Sequence, residues 1–338
     1  MKKFLTVALA VIAVTGVSAS ERDIEVVNEK AGITLAGTLS MPESGKPKAL
    51  LVMASGSGQQ NRDEEIFGHK LFRDIADRLS AEGYASIRMD DRGTGDSGGL
   101  FKGATSDNFM SDIAAAIAAA DSLCPSVPVG VLGHSEGGDI AIRLAAHNPD
   151  CGFIVTLAAP AWQGDSIVMS QTRAIAESAS GHWEPDKEAM QRSLLDICML
   201  DMSVAQARLR LIFALSNSVG EAASISKVQQ QIAATADVML SDWYRQMLRY
   251  NPADDIAAVT VPWLALNGDR DIQVLPGNLT TIHDLNPKAD TALMPSHNHL
   301  FQRCTTGMVQ EYATITESIS DATLDTIIQW LDTHFPSK

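Results

Sequence analysis

Four short apolar runs stand out along the first half of the chain: 49–54 (ALLVMA), 84–89 (YASIRM), 127–132 (VPVGVL) and 153–158 (FIVTLA). Each is bounded by turn-forming or polar residues, and runs of this length fit strands buried on both faces. Between them the period changes. In 67–81, Phe67, Leu71, Phe72, Ile75 and Leu79 fall on one helical face. Residues 112–123 read as an alanine-rich helix and 138–147 as another. Upstream, 24–27 and 33–40 read as two strands joined by a turn around Lys30-Ala31-Gly32. Strands alternating with helices predict an α/β fold whose central sheet is mostly parallel, with helices on both faces.

The alternation stops near Pro160. Residues 163–250 carry only helix-like segments, and the β/α rhythm resumes at 261–266 and 291–294 before a last helix at 324–335. The expected organisation is a core built from 20–162 and 251–338, interrupted by a helical insertion over 163–250. The insertion follows one strand of the sheet and precedes the next, which places it at the carboxyl edge as a cap. Met169, Met190, Met199, Met202, Met239 and Met247 lie in it, with Trp183, Trp243 and Tyr244. Methionine packs helices and also fills irregular, adaptable pockets, so both uses stand open.

Composition narrows the class. With 45% hydrophobic and 20% charged residues, the 338-residue chain is an ordinary globular sequence. A formal charge of −15 argues against a nucleic-acid partner. The first nineteen residues read as a leader: Lys2 and Lys3, an apolar stretch too short to span a bilayer comfortably, then Val17-Ser18-Ala19 as a cleavage site. The expectation is an exported protein, periplasmic or secreted, without stable membrane association once the leader is removed. Export permits disulfides among Cys124, Cys151, Cys198 and Cys304. Cys124 and Cys151 each precede a strand, and parallel neighbouring strands would bring them to one sheet edge, so this pairing is preferred. The spacing fits no zinc motif.

Candidate chemistry begins at Gly133-His134-Ser135-Glu136-Gly137, a serine between two glycines where a strand gives way to a helix. This is the context of a G-x-S-x-G nucleophile elbow, in which glycines relieve a bend too tight for side chains. A serine hydroxyl needs a base, and the base an orienting acid. After the strand at 261–266 two acids compete, Asp269 and Asp271; farther on, two histidines compete, His297 and His299. His134 adjoins the serine, but its side chain is expected to point the other way across the bend.

These segments together resemble the α/β-hydrolase superfamily, in particular its exported serine esterases with a helical cap. Ser55-Gly56-Ser57-Gly58 with Asn61-Arg62-Asp63-Glu64 resembles the family's oxyanion loop, with serine in place of the usual leading histidine. Asp91-Arg92-Gly93-Thr94-Gly95-Asp96-Ser97 resembles its D-x-R-G-x-G-x-S loop. Gly268-x-x-Asp271-x-x-Val274 and Asn298-His299-Leu300-Phe301 resemble its acid and histidine motifs, which selects Asp271 over Asp269 and His299 over His297. The resemblance implies Ser135 as nucleophile, His299 as base, Asp271 as its orienting acid, and the backbone N–H groups of Ser57 and Glu136 as oxyanion donors. The Glu136 carboxylate is read as structural, and Asp91, Arg92, Arg62 and Asp63 as ties between loops. No metal or organic cofactor is implied. The implied substrate is a small-molecule carboxylic ester. A serine aminopeptidase of the same fold is the rival, drawing on Glu184, Asp186, Glu188, Asp196 or Asp201 to hold an amino terminus. A non-catalytic binding protein on the same scaffold stands behind both.

Overall fold

The computed structural model describes residues 20–43 and 46–336; the expected leader lies outside them. Its strands are β1 (Ser20–Asn28), β2 (Ile33–Met41), β3 (Leu50–Ala54), β4 (Glu65–Ile66), β5 (His69–Lys70), β6 (Ala85–Met89), β7 (Val129–His134), β8 (Ile154–Leu157), β9 (Trp263–Gly268) and β10 (Asp290–Met294). The helices flanking the sheet are α1 (Leu71–Ala81), α2 (Ser106–Leu123) and α3 (Glu136–His147). Five follow β8: α4 (Gly164–Ser180), α5 (Pro185–Met199), α6 (Val204–Val219), α7 (Ser226–Met239) and α8 (Asp242–Arg249). The remainder are α9 (Ala253–Ala258), α10 (Gly277–Leu285), α11 (Val309–Tyr312) and α12 (Asp321–His334).

Eight strands form one sheet in the order β1-β2-β6-β3-β7-β8-β9-β10. The β1–β2 and β2–β6 pairs are antiparallel and the rest parallel. Every residue of β3, β6, β8 and β9 is buried, as expected of strands covered on both faces, including the polar Ser86, Arg88, Thr156 and Asn267. Side chains alternate between the two faces. In β3, Leu50 and Val52 join one core with Ile113 and Ile117 of α2 and Ile140 and Leu144 of α3. Leu51 and Met53 join another with Leu71 and Ile75 of α1 and Leu324 and Ile327 of α12. The edge strand β1 buries only alternate residues in its second half, the pattern of a half-solvated strand.

The helix expected over 67–81 begins at Leu71. The preceding residues form a β4–β5 hairpin whose tip, Phe67-Gly68, has φ of 53° and 83°. Two consecutive positive φ values suit the tight turns that close two-residue hairpins, and Phe67 is thereby turned outward, 57% exposed, instead of facing the core. Helices α9, α10 and α11 are too short to carry a readable period. Helices α4–α8 occupy the stretch where helices alone were expected, and they have an apolar cluster of their own around Leu195, Cys198, Leu211, Ala236 and Leu248.

The preferred Cys124–Cys151 bridge is absent: all four cysteines are free thiols. The strands that follow the two cysteines are indeed parallel neighbours, but the side chains diverge. Cys124 Sγ lies 3.6 Å from Met41 Sδ at the end of β2, whereas Cys151 Sγ faces the Phe153 carbonyl, next to β8. Between β2 and β8 run β6, β3 and β7, at about 4.8 Å per strand, beyond the roughly 7 Å that a disulfide tolerates between Cα atoms. Burial pushes the Cys151 thiol up to about 12, which suppresses its thiolate chemistry. Unreduced protein unfolded in guanidinium should therefore titrate four thiols with Ellman's reagent, the number free in the structure. Two thiols under those conditions would mean that a bridge forms.

Candidate active site

At the β7–α3 junction the chain turns within one residue. Ser135 has φ 53° and ψ −118°, a conformation that strains a residue with a side chain. Its flanks explain why the turn is tolerated. A Cβ on Gly133 would sit 2.0 Å from the Gly137 carbonyl oxygen, and one on Gly137 would sit 1.9 Å from that of Ala54. The Ser135 N–H donates to the Leu157 carbonyl at 2.8 Å, and the Gly138 N–H donates to the Ser135 carbonyl at 2.8 Å. Helix α3 starts at Glu136, so amides at its N-terminus lack intrahelical acceptors and favour negative charge beside Ser135.

Of the competing acids and histidines, the structure brings Asp271 and His299 together. His299 Nδ1 lies 2.7 Å from Asp271 Oδ2, and both residues are buried. Asp271 Oδ1 accepts from the Gln273 and Val274 N–H groups at 2.8 and 3.0 Å, which fixes the carboxylate on its loop. Asp269 instead accepts from the Ser296 N–H, and His297 is held between the Pro295 carbonyl and the Ser320 hydroxyl. Asn298 Oδ1 accepts from the N–H groups of Leu300 and Gln302, which shapes the loop that presents His299.

The loop after β3 faces the serine. Asp91 accepts from the Ser55 hydroxyl at 2.9 Å and the Gln60 N–H at 2.8 Å. Burial, against these hydrogen bonds, pushes its carboxyl up to about 7. Arg92 grips Asp112 with two hydrogen bonds of 2.8 Å, Arg62 pairs with Asp90 at 2.7 Å, and Asp63 pairs with Arg88. Of the four residues expected to tie loops together, Asp91 and Arg62 join loop to loop, whereas Arg92 fastens its loop to α2 and Asp63 to β6. The Gly56 N–H donates to Glu64 at 2.7 Å. No acceptor within the described residues engages the next amide, that of Ser57. The Glu136 side chain accepts from the Ser106 hydroxyl at 2.5 Å and from Trp243 Nε1 at 2.8 Å, so it joins α2, α3 and α8.

Ser135 and His299 open on one cavity of about 430 Å³. Ile167, Val168, Trp243, Tyr244 and Met247 line it from α4 and α8. Of the six methionines between β8 and β9, Met247 is the one on its wall, and Trp183 is not among its lining residues. The acids Glu184, Asp186, Glu188, Asp196 and Asp201 are exposed and do not line it. Its acidic lining residues are Glu64, Asp107, Glu136 and Asp139. Asp139 Oδ1 is sealed from solvent without a hydrogen-bond partner, and burial, helped by Glu136, pushes the carboxyl well above its usual range. Arg143 pairs with Asp107 and lies over the Tyr250 ring at 5.2 Å.

Sequence reasoning quoted Glu64 in the stretch that resembles the oxyanion loop but gave it no role, and it missed the engagement of His134 with that carboxylate at 2.8 Å. A one-turn spacing from Ser135 along α3 was the available signal for Asp139.

The family model for serine aminopeptidases of type S33 matches residues 45–294, well over half of the chain. Similar solved structures include an esterase of Pyrococcus furiosus, 14% identical with a TM-score of 0.58 over 93% of this chain and 91% of that one. An esterase of Thermogutta terrifontis is 17% identical, with a TM-score of 0.53 over 93% and 99%. Proline iminopeptidase of Mycobacterium smegmatis is 16% identical, with a TM-score of 0.56 over 93% and 98%. At these identities the likeness is one of fold. By the family match, and with its mostly parallel eight-stranded sheet, the chain belongs to the serine aminopeptidase S33 family of α/β hydrolases.

Proposed function

We propose that the protein is an exported serine esterase that hydrolyses small to medium acyl esters through Ser135, His299 and Asp271. The observation that carries this reading is the strained Ser135 opening on the same cavity as His299, whose other ring nitrogen is held by buried Asp271. In this mechanism Ser135 Oγ attacks the acyl carbonyl as His299 takes its proton. The amides of Ser57 and Glu136 receive the oxyanion. The alcohol leaves with the proton from His299, and water, activated by the same imidazole, releases the acid and restores Ser135. Asp271 holds the ring in the required tautomer and stabilises its charged form. Helices α4–α8 act as a cap, with their α4 and α8 side chains forming the acyl wall. The export assignment rests on the leader-like residues 1–19.

A second reading has one specific observation in its favour. Asp139 and Glu136 share a wall of the cavity, and a substrate ammonium bound there would favour the ionised form of Asp139, as aminoacyl hydrolysis would need.

Ser135→Ala should lower turnover of p-nitrophenyl esters by about a million-fold and abolish labelling by a fluorophosphonate. Asp271→Asn and His299→Ala should each cost several orders of magnitude, and Asp269→Asn and His297→Ala far less. Labelling at another serine, or a reversed ranking within either pair, contradicts the assignment.

An acyl wall predicts a chain-length optimum, since each buried methylene contributes about 0.8 kcal/mol. Met247→Glu or Trp243→Ala should shift that optimum while Ser135 still labels. A flat profile, unmoved by both, would leave α4 and α8 without a role in acyl choice.

Paired assays with acyl esters and aminoacyl anilides separate the two readings. The esterase reading expects ester turnover to dominate and to survive Asp139→Asn. Dominant anilide turnover that collapses selectively in Asp139→Asn would instead establish the second.

A further inference from the structure

We propose that Glu64 and His134 are positioning residues: a buried ion pair that sets the oxyanion loop and the histidine loop against Ser135. The inference rests on the serine-hydrolase reading above.

Glu64 has no exposed surface and a φ of 47°, so a charged side chain sits fully buried on strained backbone. One oxygen, Oε1, receives two donors, the Gly56 N–H at 2.7 Å and His134 Nδ1 at 2.8 Å. The other, Oε2, is buried without a partner. On the far side of the ring, His134 Nε2 lies 3.0 Å from the His299 carbonyl oxygen. Both ring nitrogens therefore face oxygen acceptors. A neutral ring would set a lone pair against one of them, so the geometry calls for an imidazolium bearing both protons. Burial works to lower the His134 pKa, but the Glu64 charge and hydrogen bond, with Asp271 adding, raise it above its ordinary value.

This one pair touches each piece of the proposed machinery. Gly56 immediately precedes Ser57, the expected oxyanion donor. His134 immediately precedes Ser135. The carbonyl that His134 engages belongs to His299 itself, and the two rings lie 4.8 Å apart. Because Glu64 occupies the Gly56 N–H, the Ser57 amide is the next one in the loop free to meet an oxyanion. The approach is close: a Cβ on Gly56 would lie 3.1 Å from Glu64 Oε1 and 3.3 Å from Ser135 Cβ. Stability alone does not account for such a pair. A buried ion pair with an unsatisfied oxygen is commonly matched or bettered by apolar side chains of similar volume. Fixing two loops and the serine elbow to one point is what apolar packing would not do.

Glu64→Gln keeps an acceptor for the Gly56 N–H and removes the charge that holds His134 doubly protonated; His134→Gln removes the bridge from the other side. Each variant is compared with wild type in kcat and KM for p-nitrophenyl butyrate, inhibition by phenylboronic acid, fluorophosphonate labelling rate and Tm. The proposal expects kcat, boronate affinity and labelling rate to fall together by about 10- to 100-fold, as a small misplacement near the chemistry does, with KM nearly unchanged. The double variant should lose no more than the worse single one. Folded variants with a lowered Tm but wild-type kcat, boronate affinity and labelling overturn the proposal, because the pair would then serve stability alone. If Glu64→Gln does not fold, His134→Gln decides by the same readings. Wild-type protein that does not label at Ser135 removes the serine-hydrolase reading itself, an outcome distinct from normal labelling in both wild type and variants.

Discussion

The backbone of Ser135 is the constraint from which the site is built. Its left-handed conformation turns β7 into α3 within one residue, and the carbonyl oxygens of Gly137 and Ala54 crowd so closely that neither flanking glycine could carry a methyl group. The turn places a hydroxyl at the carboxyl edge of the sheet, against a helix N-terminus, where negative charge is favoured. A wider turn would carry the hydroxyl away from the proposed oxyanion donors, the amides of Ser57 and Glu136. The strain is held by parallel strands on both sides of β7, each hydrogen-bonded to it.

Around that point the loops are fastened mainly by charge and hydrogen bonding. Asp91 holds the β3 loop from one side through Ser55 and Gln60, and Glu64 holds it from the other through Gly56. Asp271 is anchored by two backbone amides before it meets His299. The arrangement divides the work. Apolar packing builds the sheet and its two cores, while buried carboxylates set the distances among loops that packing leaves loose. In the proposed reaction, where charge would develop on an acyl oxygen, such fixed dipoles would need no rearrangement.

The legible part of the fold was the part that follows from local pattern. Short runs rich in apolar residues marked β3, β6, β7 and β8, because strands buried on both faces need little polar surface, although β6 also buries Ser86 and Arg88. The stretch between β8 and β9 was marked by loss of that rhythm. Phe67 was misread because the helical period continues backward through it, and only the hairpin turn, a two-residue matter, displaces it to the surface. The Cys124–Cys151 pairing failed because strand adjacency says nothing about which way side chains leave the chain ends. At the candidate site, the serine was legible from its glycines. Choosing Asp271 and His299 over neighbours two residues away rested on family resemblance, not on spacing. Glu64 was hidden, a charged residue whose burial is created by segments distant in sequence, whereas Asp139 was marked only by its one-turn spacing from Ser135.

Because the account turns on where an oxyanion would sit, the most direct measurement is a crystal structure of the protein after reaction with a small phosphonofluoridate. The account predicts phosphorus bonded to Ser135 Oγ, with its phosphoryl oxygen within hydrogen-bonding distance of both the Ser57 and Glu136 amides and the alkyl group directed toward Met247 and Trp243. Phosphorus on any other residue, or a phosphoryl oxygen turned away from those two amides, would contradict it.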